Sequence, residues 1–321
     1  MVIKKKIRIS IVLRNILLAI AAIFVILFVF SNFLTVYEQN KYPVLGELVE
    51  LDGENMHIYT KGEGENTIVL LSGLGTTAPV LDFEPLVNEL AKENKVIVVE
   101  EFGYGWSDLT KKERTVENIV GEIRTALQLA NIKGPYILMP HSISGIYSMY
   151  YANKYPEEVK AIVGIDPTLP QALEYFGESA PTMPNFFSYL APTGIARLAI
   201  YMNSDDFLPI SEEDTYSNEN LRMTKVISSW NGYNRNVVDE ANEIKENIEK
   251  TAAMKFPSDI PVMIFTAKEN KNNEGKSNVT FYREQLENGS ANKLLIFEGH
   301  HYLHWTRFIE ISETVNDFIK E

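Results

Sequence analysis

Apolar and polar positions along the chain repeat with two periods, and the places where one gives way to the other mark the elements. Residues 48–59 alternate around Asp52-Gly53, a pair that tolerates positive φ, and predict a β-hairpin. Short apolar runs rich in β-branched residues recur at 67–71, 95–99, 136–139, 160–165, 261–265 and 293–297. Each is closed by a polar residue, Gly or Pro, as buried strands are. Between them lie stretches of helical period at 83–91, 115–131 and 279–287, the second with Val116, Ile119, Ile123, Leu127 and Ala130 on one face. A further helical pattern follows Ser142 without a loop, and Phe308, Ile311, Val315, Phe318 and Ile319 give the last one a single apolar face. Strands alternating with helices of this length form βαβ units, which predicts a mainly parallel sheet with helices on its faces. From 168 to about 251 the strand pattern stops, and loosely helical, aromatic-rich segments take over.

The first forty residues follow neither pattern. Lys4, Lys5, Lys6, Arg8 and Arg14 precede an unbroken apolar run, 16–30, that continues less purely through Phe33, Leu34 and Val36 to Tyr37. A helix rises about 1.5 Å per residue, so roughly twenty residues cross a hydrocarbon core of about 30 Å. The expectation is a basic cytoplasmic segment at 1–15, one transmembrane anchor at 16–37, and residues 38–321 outside the cytoplasm as a single-pass cell-membrane protein. A cleaved signal peptide is the rival reading. The small residues Ala19, Ala21 and Ala22 come early, however, and Ser31-Asn32-Phe33-Leu34 offers no Ala-x-Ala site.

Composition narrows the function classes. A chain of 321 residues with net charge -13 suits one large globular domain and argues against nucleic acid as a partner. It has no cysteine, which removes disulfides, Cys-zinc sites and thiol catalysis.

Chemistry concentrates at Met139-Pro140-His141-Ser142-Ile143-Ser144-Gly145, where a strand turns directly into a helix with Ser142 at the tip. A tight turn pushes a hydroxyl out of the sheet, and the helix N-terminus aims free N–H groups at developing negative charge. Taken alone, a helix N-cap serine is the plainer reading.

With those residues in view, the chain resembles the α/β-hydrolase superfamily in its serine esterase and lipase branch, whose elbow reads Gly-His-Ser-x-Gly-Gly. His141, Ser142 and Gly145 match it, while Pro140 and Ser144 stand where glycines are usual. Ser72-Gly73-Leu74-Gly75 resembles the family's His-Gly-x-Gly, which implies an oxyanion hole from the main-chain N–H groups of Leu74 and Ile143. Residues 100–108 resemble Asp-x-x-Gly-x-Gly-x-Ser with Glu100 for the aspartate. They are expected to be structural, with Tyr104 and Trp106 as candidates to line a pocket. Residues 168–251 look like the family's helical cap. A few of its aromatics, among them Tyr175, Phe176, Phe186, Phe187, Tyr189, Tyr201, Phe207, Trp230 and Tyr233, are expected to face an apolar or bulky substrate. The resemblance thus implies an α/β-hydrolase fold with a cap insertion, preceded by the anchor.

A serine nucleophile requires a base. His301 and His304 match the family's Gly-His-x-x-His, which makes His301 the expected base with His300 as the alternative. A metal on the three clustered histidines lacks a fixed carboxylate partner, and no metal or other cofactor is called for. His57 reads as a strand surface residue. Asp166, in Gly164-Ile165-Asp166-Pro167, resembles the acid site of the lipase branch. Glu269 is the alternative acid, in the polar loop 266–276 beside Asn270, which cannot carry the charge. The implied reaction is attack of Ser142 on the carbonyl of a small-molecule or lipid acyl substrate, then hydrolysis of an acyl-enzyme by water. Two other classes remain open at this level: a ligand-binding module without turnover, and an acyltransferase.

Overall fold

The computed structural model describes residues 2–203, 207–272, 274–287, 289 and 291–320, with side chains from residue 11 onward. The side chains of Lys4, Lys5, Lys6 and Arg8, on which the expected orientation of the anchor rests, lie outside the described residues.

Eight strands form one sheet: β1 Glu47–Leu51, β2 Glu54–Lys61, β3 Thr67–Leu71, β4 Lys95–Glu100, β5 Tyr136–Pro140, β6 Val159–Ile165, β7 Val262–Ala267 and β8 Lys293–Phe297. Their order is β1-β2-β4-β3-β5-β6-β7-β8. The hairpin is antiparallel and adds to β4 antiparallel, and every later pairing is parallel. Asp52 and Gly53 both take positive φ at the hairpin turn, as a two-residue loop between twisted strands requires.

The helices are α1 Val2–Lys41, α2 Pro79–Asp82, α3 Glu84–Leu90, α4 Val116–Leu129 and α5 Ser144–Lys154. Between β6 and β7 an insertion carries α6 Ala172–Phe176, α7 Ile195–Met202, α8 Asn218–Asn231 and α9 Arg235–Thr251, and α10 Asn278–Leu286 and α11 Phe308–Phe318 close the chain. Side chains alternate across a strand, so each central strand feeds two cores. Val69, Leu71, Ile97, Val99 and Leu138 pack with Ile119, Ile123, Ile146 and Met149 of α4 and α5. Ile68, Leu70, Val96, Val98 and Met139 pack with Leu86, Leu90, Ile311 and Val315 of α3 and α11. Being buried on both faces, β3 and β5 carry continuous apolar runs rather than an alternation.

α1 is long and apolar enough over Ile11–Lys41 to cross a membrane, with a mean hydropathy of 2.8 in its most apolar stretch. Most of that stretch lies against no other part of the chain, but its far end is docked on the insertion. Arg197 of α7 donates to Glu38 at 2.8 Å, to Thr35 at 2.9 Å and to Ser31 at 3.2 Å, and Trp230 of α8 donates to Glu38 at 3.0 Å.

One expectation fails. His57 is fully buried rather than on the strand surface. The antiparallel pairing of β2 with β4 sets it opposite Glu100, and its Nδ1 donates to Glu100 Oε2 at 2.8 Å. Nε2 then accepts the Gly46 N–H at 3.0 Å, which fixes the tautomer. Glu100 also accepts the N–H groups of Val80 and Trp106, so this carboxylate ties the hairpin to two loops of the sheet's working end. Removing the carboxylate would leave three donors, the His57 Nδ1–H and the Val80 and Trp106 N–H groups, without their acceptor, at a cost of about 1–3 kcal/mol each. Glu100→Ala should therefore lower the thermal midpoint of the detergent-solubilised chain by roughly 5–10 °C. An unchanged midpoint in circular dichroism would show that the pair carries no such weight.

Candidate active site

The elbow at Ser142 is built from four neighbouring segments. His141 N–H donates to Leu71 O at the end of β3, and Thr168 N–H donates to Ser142 O. These bonds hold Ser142 at φ 53°, a left-handed conformation that costs a non-glycine residue on the order of 1–3 kcal/mol. Gly145 is required here, because a Cβ would lie 2.5 Å from Thr168 O and 2.7 Å from Pro167 Cβ. One of the departures from the usual glycines has a visible use: Ser144 Oγ donates to the main-chain O of Ser72, joining the start of α5 to the turn after β3.

Asp166 lies at the end of β6, the strand beside β5. Its Oδ2 accepts from His301 Nδ1 at 2.7 Å, and its Oδ1 accepts from Thr266 Oγ at 2.8 Å. Burial and the Asp166 charge push the nearby Tyr282 phenol well above its ordinary pKa, and its hydroxyl donates to Pro167 O at 2.8 Å. The alternatives lie elsewhere. Glu269 accepts from Ser277 Oγ at 2.9 Å, at the N-cap of α10, and pairs with Lys271. His300 accepts the Tyr302 N–H at 3.1 Å on Nδ1, with its ring against Trp305. His304 is buried, its Nε2 bonded to Asp82 at 2.7 Å, and Asp82 also accepts from Trp305. The three clustered histidines therefore have three separate partners, and His304 anchors the loop that carries His301.

His141 lies under this loop. Burial, then the neighbouring His304 and His301, hold it well below the usual imidazole range, so it is neutral. Its Nε2–H donates to His301 O at 3.2 Å, supporting the loop from below.

Ser142, His301 and Asp166 share the wall of one cavity of about 520 Å³ with Leu74 and Ile143. Among the described residues, neither the Leu74 nor the Ile143 N–H makes a main-chain or side-chain hydrogen bond. The insertion contributes Leu173, Phe176, Ile244 and Ile248 to the same wall. Of the aromatics expected to face a pocket, Phe176 lines this cavity and Phe207 and Tyr233 line a neighbouring one.

Neither Tyr104 nor Trp106 lines either cavity. Tyr104 instead holds the turn after β3: its hydroxyl accepts the Gly75 N–H at 3.2 Å and donates to Glu240 at 2.6 Å. Tyr147 of α5 donates to the other Glu240 oxygen at 2.7 Å, and burial pushes the Glu240 carboxyl up. Glu240 thus links α9 to both the turn and the elbow helix. Sequence reasoning missed it, although a carboxylate on the same helical face as Val237, Ala241 and Ile244 was a signal that this face meets polar groups.

Residues 66–308 match the alpha/beta hydrolase fold family. The chain is 32% identical over 272 residues to the uncharacterized protein YbdG of Bacillus subtilis, covering 83% of each. Among solved structures it is similar to an epoxide hydrolase of Vigna radiata, with a TM-score of 0.66 at 18% identity over 85% of this chain and 97% of that one. It is also similar to the enol-lactonase of Burkholderia xenovorans, with a TM-score of 0.57 at 16% identity over 86% and 100%. From the sheet order, the elbow and the matched span, the chain belongs to the α/β-hydrolase-fold family.

Proposed function

We propose that this protein is a serine hydrolase that cleaves an ester or related acyl bond, held at a membrane by α1. The observation that carries the reading is the hydrogen bond from His301 Nδ1 to Asp166, on the wall of the cavity that Ser142 also lines. That bond leaves Nε2 of His301 as the acceptor, the tautomer a general base needs. His301 would take the Ser142 proton as Oγ attacks the carbonyl carbon. The resulting oxyanion would be met by the Leu74 and Ile143 N–H groups, and His301 would then protonate the leaving group. Water attacking the acyl-enzyme by the reverse path frees Ser142. A serine at the elbow supports acyl transfer over carboxylate chemistry on epoxides or halides, which needs a carboxylate at that place.

An alkyl fluorophosphonate should label Ser142 in the full-length protein, and a panel of ester, thioester and amide substrates should show turnover. A parent protein that resists the probe and turns over no member of the panel would leave the chain a binding module.

The docking of α1 supports a retained anchor. Cleavage before Tyr37 would strip Ser31 and Thr35 from Arg197, a residue that is 5% exposed. Protease shaving of intact cells should remove the folded domain and leave a membrane-bound fragment. Soluble domain in the culture medium with an N-terminus near Tyr37 would refute the anchor.

A further inference from the structure

A second cavity of about 370 Å³ shares Leu74 as a wall residue with the Ser142 cavity, and Tyr302, next to His301 in the chain, forms part of its wall. One side is α7, through Ile195, Ala196, Ala199 and Ile200. An ester seated with its carbonyl oxygen at the Leu74 N–H has two arms to place, and Leu74 lines both cavities.

α7 has three faces, and none is built for water. The first lines the cavity. The second carries Arg197, the helix's one charge, which is turned onto Ser31, Thr35 and Glu38 of α1. The third is Leu198, Tyr201 and Met202, the last two 61% and 72% exposed. With its one charge taken up by α1 and its two other faces apolar, such a helix suits a protein core or a lipid surface rather than water. The turn before α7 reaches further along α1: a Cβ on Gly194 would lie 3.0 Å from Leu27 O, and Asn32 Nδ2 donates to Pro192 O at 3.2 Å. Of the span expected at 16–37, Ser31, Asn32 and Thr35 fall in the last two turns. The 192–194 turn and α7 therefore meet α1 toward the outer end of that span. Phe186 and Tyr189, just upstream, are both exposed, and aromatic rings favour that level.

We propose that the second cavity binds the alkyl tail of a membrane-resident amphiphile, which enters past α7 from the bilayer surface on which α1 holds the insertion. The proposal rests on the acyl-hydrolase reading for its chemistry but not for its binding site. The apolar part of the wall, α7 with Leu190, Phe207 and Leu208, supplies the affinity, and the ester end of the tail would emerge at the turn carrying Leu74, on the side where Thr76, Thr77 and Asp82 make the wall polar.

The test uses full-length Ser142→Ala protein in phosphatidylcholine nanodiscs with a dodecanoic acid bearing a chain-terminal diazirine. After photolysis, labels displaced by excess dodecanoate are expected within 195–200, within 207–209, and at Tyr302 or Trp305. Ala199→Phe, which fills the cavity, should remove about nine-tenths of them. With the parent serine restored, Ala199→Phe should lower the ratio of kcat/KM for p-nitrophenyl laurate over p-nitrophenyl acetate by about tenfold or more. Displaceable labels confined to 172–181 of the first cavity, or none that dodecanoate displaces, would overturn the tail site. A charge on the free face, Met202→Asp, should slow labelling from preloaded vesicles by about tenfold, and unchanged labelling would overturn entry from the bilayer. If neither ester is turned over while the labels fall as expected, the acyl-hydrolase reading fails and the tail site stands.

Discussion

Ser142→Ala is expected to lower kcat on any ester substrate by on the order of 10³-fold or more while leaving the fold in place. The size follows from what the hydroxyl alone supplies. Without Oγ no acyl-enzyme forms, and His301 and the main-chain donors retain only the ability to orient water and steady charge. The fold should survive because the bonds that hold residue 142 in the left-handed region are main-chain bonds, to Ile165 O and from Thr168 N–H, and alanine keeps both. Alanine meets the same backbone strain as serine, so the thermal midpoint should move by no more than a degree or two. Equal turnover by the variant and the parent would refute the enzymatic reading, and loss of activity together with a collapsed midpoint would mean that the wrong property had been measured.

What the sequence shows of this molecule is what neighbouring residues decide together. The strands are legible because a doubly buried strand must be apolar throughout, so Thr67–Leu71 has the limits that its pattern predicts, and Lys293–Phe297 matches its pattern too, as a half-buried edge strand. Asp52-Gly53 and the Ser142 turn are legible because their backbones admit few residue types. The site is harder to read wherever a partner arrives from far along the chain. His57 has nothing polar beside it in sequence, and only the β2–β4 register gives it Glu100. Glu240 finds Tyr104 and Tyr147 because α9 folds back over the elbow. The departure at Ser144 looks like a weakness in the chain and becomes a hydrogen bond to the main-chain carbonyl of residue 72 in the structure. The choice between Asp166 and Glu269 could not be made from spacing, since both follow strands at the working end of the sheet. Their surroundings separate them. Asp166 is fixed at φ 42° with two side-chain partners, whereas Glu269 is occupied in capping α10.

Asp166→Asn should therefore cost far more activity than its small change in shape suggests, and the hydrogen bonds around it state why. Thr266 Oγ accepts from Asn278 Nδ2 at 2.8 Å, so its own proton is free to donate to Asp166 Oδ1. In the variant, that proton keeps the amide oxygen on the Thr266 side, and the amide NH₂ must take the place of Oδ2 against His301 Nδ1. An N–H facing Nδ1 drives the histidine proton to Nε2, where it can no longer accept from Ser142. The base is lost through its tautomer, with the imidazole still in position. A wrong tautomer of this kind costs about 10⁴-fold in kcat in a serine triad. Glu269→Gln removes only a surface contact to Ser277 and an exposed pair with Lys271, and kcat should stay within about twofold. Steady-state kinetics on both variants with one ester substrate decide the assignment. A near-normal Asp166→Asn beside a crippled Glu269→Gln would transfer the acid to the loop after β7, and would require that loop to swing onto His301 during turnover.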